Sequence, residues 1–213
     1  MTRTLRFVAL VFIVFAFQVQ HAFADRITTV TATTTMGSGF LTSLSNAVNG
    51  VGLSALSLTA LHDGTSTANS WVSSPGAVIG TVTFALGGMF QVDSFSFWNQ
   101  NGGGPGANGS TGIQGVQVLT STDGLSFSVL AGGPSLLAQV PSVGPVGPQV
   151  FNFGPVNATH FRFNILSNYG DTAQTGFAEV GFNSVSSQVP ETEALRLIVM
   201  GLMLGAGLIR RQR

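Results

Sequence analysis

The 213-residue chain contains no cysteine and no lysine. Without cysteine there are no disulfide staples, no thiolate metal ligands and no thiol nucleophile. Without lysine the glycine-rich stretch 102–112 cannot be a phosphate-binding Walker loop. Charge of either sign is scarce: eight arginines face eight carboxylates. Six of those arginines (Arg3, Arg6, Arg196, Arg210, Arg211 and Arg213) lie at the two ends. The segment 25–188 keeps only Arg26 and Arg162 against Asp25, Asp63, Asp93, Asp123, Asp171 and Glu179, a net charge of −4. Nucleic acid is excluded as a partner, because nothing is there to neutralise its phosphates. Catalytic motifs are missing as well. There is no Gly-x-Ser-x-Gly elbow and no His-Glu-x-x-His helix. His62 and His160 stand alone, so the segment reads as non-catalytic.

What is present at the front is a secretory signal peptide, residues 1–24. Arg3 and Arg6 supply its charge, Phe7–Phe17 is an apolar run, and Ala22-Phe23-Ala24 places small residues at the cleavage site. Cleavage after Ala24 leaves Asp25 as the mature N-terminus. The last 25 residues, 189–213, form a second unusual segment. Leu197–Ile209 has no polar side chain, and a helix over 195–209 would fall somewhat short of the roughly 30 Å hydrocarbon core of a bilayer. Arg210, Arg211 and Arg213 then hold the cytoplasmic side. A run of this length also suits a buried core helix, but one that is apolar all round and followed by arginines favours the inner membrane. Val189-Pro190-Glu191, the apolar helix and the terminal arginines together resemble the PEP-CTERM sorting signal of exported bacterial proteins. That resemblance implies recognition by an exosortase-like membrane protease and display at the cell surface or in the extracellular matrix. Thr192 stands where the family usually has a second proline.

Between the two ends, short apolar runs bounded by Gly, Pro and Asn replace helical periodicity. Strands are expected over Ile27–Thr35, Val78–Leu86, Val92–Trp98, Gly115–Ser121, Phe127–Leu130, Val150–Phe153, His160–Leu166 and Phe177–Val185. In His160–Leu166 the alternation sets Phe161, Phe163 and Ile165 on one face. In Val92–Trp98 strict alternation sets Val92 opposite Phe95 and Phe97. Asp123-Gly124 reads as a tight turn, not a catalytic site. Residues 36–60 hold either one short helix or an irregular crossover. Seven or eight short strands with frequent turns indicate an all-β sandwich or jelly roll over 25–188.

The order of several landmarks carries a second resemblance. His62 precedes Asn69-Ser70-Trp71, Phe97-Trp98-Asn99 and Gly112-Ile113-Gln114-Gly115. The Ser121–Gly124 turn, Ala158–Phe163, Ser167–Gly170 and Gly176–Phe182 follow. Together they resemble the discoidin-like, coagulation-factor C-terminal type of galactose-binding-like domain. This implies an eight-stranded jelly roll that binds carbohydrate or a cell-surface ligand without catalysis. It also implies a structural calcium, with Asp63 and Glu179 as matching ligands, Thr65 or Thr67 nearby, and Asn49-Gly50 as a competing loop. The blander reading makes Asp63 and Asn49 turn residues and pairs Glu179 with Arg162. Aromatic rings stack on sugar C–H faces while amides and guanidinium bind hydroxyls. Trp98 with Asn99, Tyr169 with Asn168, and the polar His62 and Arg162 are therefore the ligand-binding candidates. An extracellular polysaccharide is the expected partner; a matrix protein with no defined ligand is the alternative.

Overall fold

The computed structural model describes residues 24–102 and 107–185. The signal peptide up to residue 23 and the sorting tail with Val189, Pro190, Glu191 and the terminal arginines lie outside the described residues. Among the described residues no helix is long and apolar enough to cross a membrane.

The chain folds into eight antiparallel strands, β1 (Ala24–Arg26), β2 (Thr31–Thr34), β3 (Trp71–Val72), β4 (Gly80–Asn99), β5 (Ile113–Ser121), β6 (Ser128–Val129), β7 (Gln149–Asn168) and β8 (Gly176–Val185). The pairing order is β1-β8-β4-β7-β5-β6, with β2 on β4 and β3 on β8. Four expected strands merge into two. Val78–Leu86 and Val92–Trp98 become β4, and Val150–Phe153 and His160–Leu166 become β7, each 20 residues long. Gly87-Gly88 bends β4 without ending it: the register to β7 slips between Ala85 and Phe90, and Gly87 has φ +85°. The first half of β4 pairs with β2 and the end of β7, while its second half pairs with β8 and the start of β7. The bent strands thus belong to both layers of a jelly-roll β-sandwich.

Phenylalanine fills the space between the layers. Phe84 from one half of β4 meets Phe182 of β8 at 5.5 Å, and Phe163 of β7 meets Phe95 of β4 at 5.3 Å. Trp71, Phe97, Phe161 and Phe177 complete this buried cluster. Edge-to-face and tilted rings dominate, as the aromatic quadrupole favours. Phe161, Phe163 and Ile165 share the buried face, as alternation requires. Val92 departs from expectation. A bulge between Val92 and Ser94 adds one residue to the strand, so Val92 is buried in the same core as Phe95 and Phe97.

The segment between β2 and β3 is an irregular crossover with one 3₁₀ turn, Leu44–Ala47. It lies over the outer face of the layer made by β8 and the second half of β4. Ser96 donates to the Leu58 carbonyl at 2.6 Å, and Trp98 to the Ala60 carbonyl at 3.0 Å.

The turn after β5 shows its chemistry directly. Asp123 Oδ1 accepts from Leu125 N, Ser126 N and Ser121 Oγ at 2.8–2.9 Å, and Gly124 takes φ +74°. Those donors, the backbone ones first, lower the Asp123 carboxyl from 3.8 to about 2. Its folded-state value is depressed, so the stabilisation it supplies is present above pH 3.8 and lost as pH falls through about 2. Asp123→Asn is expected to flatten the stability–pH curve between those limits. Urea melts of both proteins across that range check this.

Candidate functional site

Several strands end together where β4 stops at Asn99, β7 stops at Asn168, and β5 and β8 begin. Of the residues nominated from the sequence, Trp98, Asn99, Asn168 and Tyr169 lie at this end, where they hold loops in place. Trp98 is 1% exposed beneath the crossover, so its ring offers no face to a ligand. Asn99 is also buried. Its Nδ2 donates to Ile113 O and Ala138 O at 2.7 and 3.0 Å, and its Oδ1 accepts from Gln100 N and Ile113 N. Asn168 clasps the β7–β8 loop through Asp171 O and Gln174 O, both at 2.8 Å. Tyr169 closes the neighbouring loop by donating to Leu137 O at 2.5 Å. In each case a chain reversal buries backbone carbonyls, and a side chain satisfies them.

His62 is fully buried. Its backbone bridges Leu53 and Val146, its Nδ1 lies 2.8 Å from Asp63 O, and its Nε2 has no partner among the described residues. Gly52 lies against the ring: a Cβ there would sit 2.6 Å from Nε2. His62 therefore props the crossover and is not presented to solvent. Arg162 lies on the other layer, with its guanidinium 3.6 Å above the Phe127 ring and Nε donating to Thr83 Oγ1. It does not meet Glu179.

Glu179 pairs instead with Arg26. The carboxylate is fully buried, accepts from Arg26 Nη2, and takes the Gly50 N–H at 3.2 Å on each oxygen. Burial pushes the carboxyl up to about 7, against the opposing pull of the guanidinium and the Gly50 N–H. A calcium ion does not fit these residues. Calcium takes six to eight oxygens, yet both Glu179 oxygens face N–H donors. Asn49 turns its Oδ1 back onto the Val51 N–H, Asp63 is exposed, and Thr65 Oγ1 donates to Asn101. Among the described residues no three His, Cys, Asp or Glu side chains gather as a metal set. The positive charge at Glu179 comes from the chain itself.

One residue missing from the sequence nomination stands out at this end. Phe40 is 85% exposed, and it is the one exposed aromatic side chain among the described residues. Its loop is rigidly anchored: Gly39 N donates to Val72 O at 2.8 Å, Thr42 Oγ1 to Gly39 O at 3.1 Å, and Trp71 Nε1 to Gly37 O at 3.0 Å. Leu41, 71% exposed, holds φ +59°, a conformation that costs a non-glycine residue about 1–2 kcal/mol. The available signal was its setting. Gly37-Ser38-Gly39-Phe40 puts a ring inside a turn sequence, outside any strand alternation.

No protein-family model matches the sequence, and a search of curated proteins finds no match. Solved structures do match its fold. CBM32-3 from a family 31 glycoside hydrolase of Clostridium perfringens superposes with TM-score 0.53 at 19% identity, over 76% of this chain and 95% of the module. The fold is the discoidin-like jelly roll. The family 32 carbohydrate-binding module of NanJ, also from C. perfringens and solved with galactose, matches with TM-score 0.50 at 13% identity, covering 76% and 98% of the two chains. CBM32-5 of CpGH89, from the same organism and solved with GalNAc-β-1,3-galactose, gives 0.50 at 16% identity, covering 74% and 99%.

Proposed function

We propose that the domain is a non-catalytic carbohydrate-binding module that reads a neutral extracellular polysaccharide through the loop end around Phe40. The observation carrying this reading is the exposed Phe40 ring, borne on a loop fastened to the buried Trp71 through Gly37. A rigid, solvent-facing ring is the element a pyranose stacks upon, and it loses little entropy on binding. The charge balance favours a neutral ligand, since segment 25–188 carries −4 and no lysine. Neighbours of the same fold were solved with galactose and with GalNAc-β-1,3-galactose, which makes galactose-containing glycans the first to try. The two terminal segments add export and sorting to this reading, with the polysaccharide outside the cell. Retention of Arg213 in the intact mass of every cellular and secreted fraction would count against cleavage by an exosortase-like protease.

Phe40→Ala is expected to weaken glycan binding about tenfold or more, roughly 1.4 kcal/mol, with no change in melting temperature. Calorimetric titration of the full chain with glycans selected on an array measures both. Equal binding by Phe40→Ala, or no glycan bound at all, overturns the proposal.

A further inference from the structure

A second recess lies away from Phe40, on the outer face of the layer formed by β7, β4 and β8. Ser94 of β4 stands beside Asn183 of β8 and Asn152 of β7, and two residues on Ser96 stands beside Gly181 and Val150. Serine and glycine leave this part of the sheet low. The crossover at Leu58–Thr59 and the side chains of Val150 and Asn152 rise on either side, enclosing a trough of about 360 Å³. That lies within the range of roughly 300–1,000 Å³ typical of small-ligand clefts.

Its floor is poised to accept hydrogen bonds. The bulge that realigns Val92 also carries Asp93 to the trough, where Oδ1 accepts from Asn183 Nδ2 at 2.7 Å and from Ser94 Oγ at 2.9 Å. The carboxylate sets the orientation of the Asn183 amide, because a flipped amide would turn oxygen against oxygen. Asn183 is 8% exposed, and its Oδ1 has no partner among the described residues. A buried carbonyl left without a donor is destabilising, so a ligand donor that draws it outward relieves that cost. Among the described residues no arginine lines the trough, and Arg26 in the adjoining recess is tied to Glu179.

We infer that the Asp93–Ser94–Asn152–Asn183 trough is a second saccharide subsite, one that takes neutral or amino-bearing sugars and rejects uronates. Hydroxyl or ammonium donors of the sugar reach the Asp93 carboxylate directly and Asn183 Oδ1 once its side chain turns outward, while a uronate carboxylate meets repulsion there. Among the described residues no ring lines the trough, so binding rests on hydrogen bonds and is weaker than at Phe40. The ligand class rests on the carbohydrate reading above, whereas the position rests on this geometry alone.

The test is an amide NMR titration of the full chain, kept in solution by a detergent without a sugar headgroup, using galactobiose, glucosamine and digalacturonate. Galactobiose and glucosamine are expected to shift the amides of Ser94, Asn152 and Asn183, and these shifts persist in Phe40→Ala. Asn152→Ala, a change at an exposed position, and Asn183→Leu each weaken the trough response about tenfold; the first leaves the melting temperature unchanged. Shifts confined to the Phe40 loop overturn the trough and leave the loop reading standing. Shifts confined to the trough, with Phe40→Ala neutral, support the trough and sink the loop reading. Digalacturonate binding as tightly as galactobiose overturns the assigned ligand class.

Discussion

Glu179→Ala is expected to lower stability by about 3–5 kcal/mol, because it leaves the Arg26 guanidinium buried without its counter-charge. For a domain of this size that is a fall of roughly 6–20 °C in melting temperature. The Gly50 N–H loses its acceptor in the same step, freeing the crossover that covers β8. Burial raises the Glu179 carboxyl against the pull of Arg26, and taking both charges out of water offsets much of their attraction, so the pair adds little net stability while being costly to break. The double substitution Arg26→Met with Glu179→Gln should therefore recover most of the loss, since it removes both charges and keeps an acceptor for Gly50. Thermal melts of the single and double variants decide this. Calcium is expected to shift none of the melting temperatures, and rescue of Arg26→Met by calcium would show that the guanidinium was occupying a metal position.

Phe163→Ala is the second large effect, again about 3–5 kcal/mol. The ring is fully buried between the layers, 5.0 Å from Phe84, 5.3 Å from Phe95 and 6.2 Å from Phe97. Its removal opens a cavity walled by other rings, which are anchored in the two halves of the bent strand β4 and cannot all collapse inward. Phe40→Ala is the same chemical change in water, and its effect on stability is expected within about 0.5 kcal/mol. Urea midpoints for the two variants measure the contrast, and a Phe163→Ala loss under about 1 kcal/mol would refute the packed-core account.

The strands were legible because alternation is local. His160–Leu166 needed only its own residues to place Phe161, Phe163 and Ile165 inward. Asp123-Gly124 likewise carried its turn in two adjacent residues. Strand continuity was not legible, since Gly87-Gly88 looks the same whether it ends a strand or bends one. The Asp93 bulge was hidden too: an extra residue shows only against a partner strand. Candidate site residues failed for a related reason. Trp98, Asn99, Asn168 and Tyr169 have side chains that suit sugar binding, yet these same groups also satisfy loop carbonyls, and only the surrounding chain decides which task they perform.

Sequence alone determined the all-β class, the lack of disulfides and the acidic, lysine-free character of segment 25–188, because these follow from composition and short-range periodicity, while the jelly roll came from the resemblance in landmark order. Tertiary structure decided that Arg26 partners Glu179, that Trp98 is core while Phe40 is surface, and that Asn183 keeps a carbonyl without a donor among the described residues. Burial and pairing are relations between distant segments, as between Arg26 and Glu179, 153 residues apart, and no local pattern encodes them.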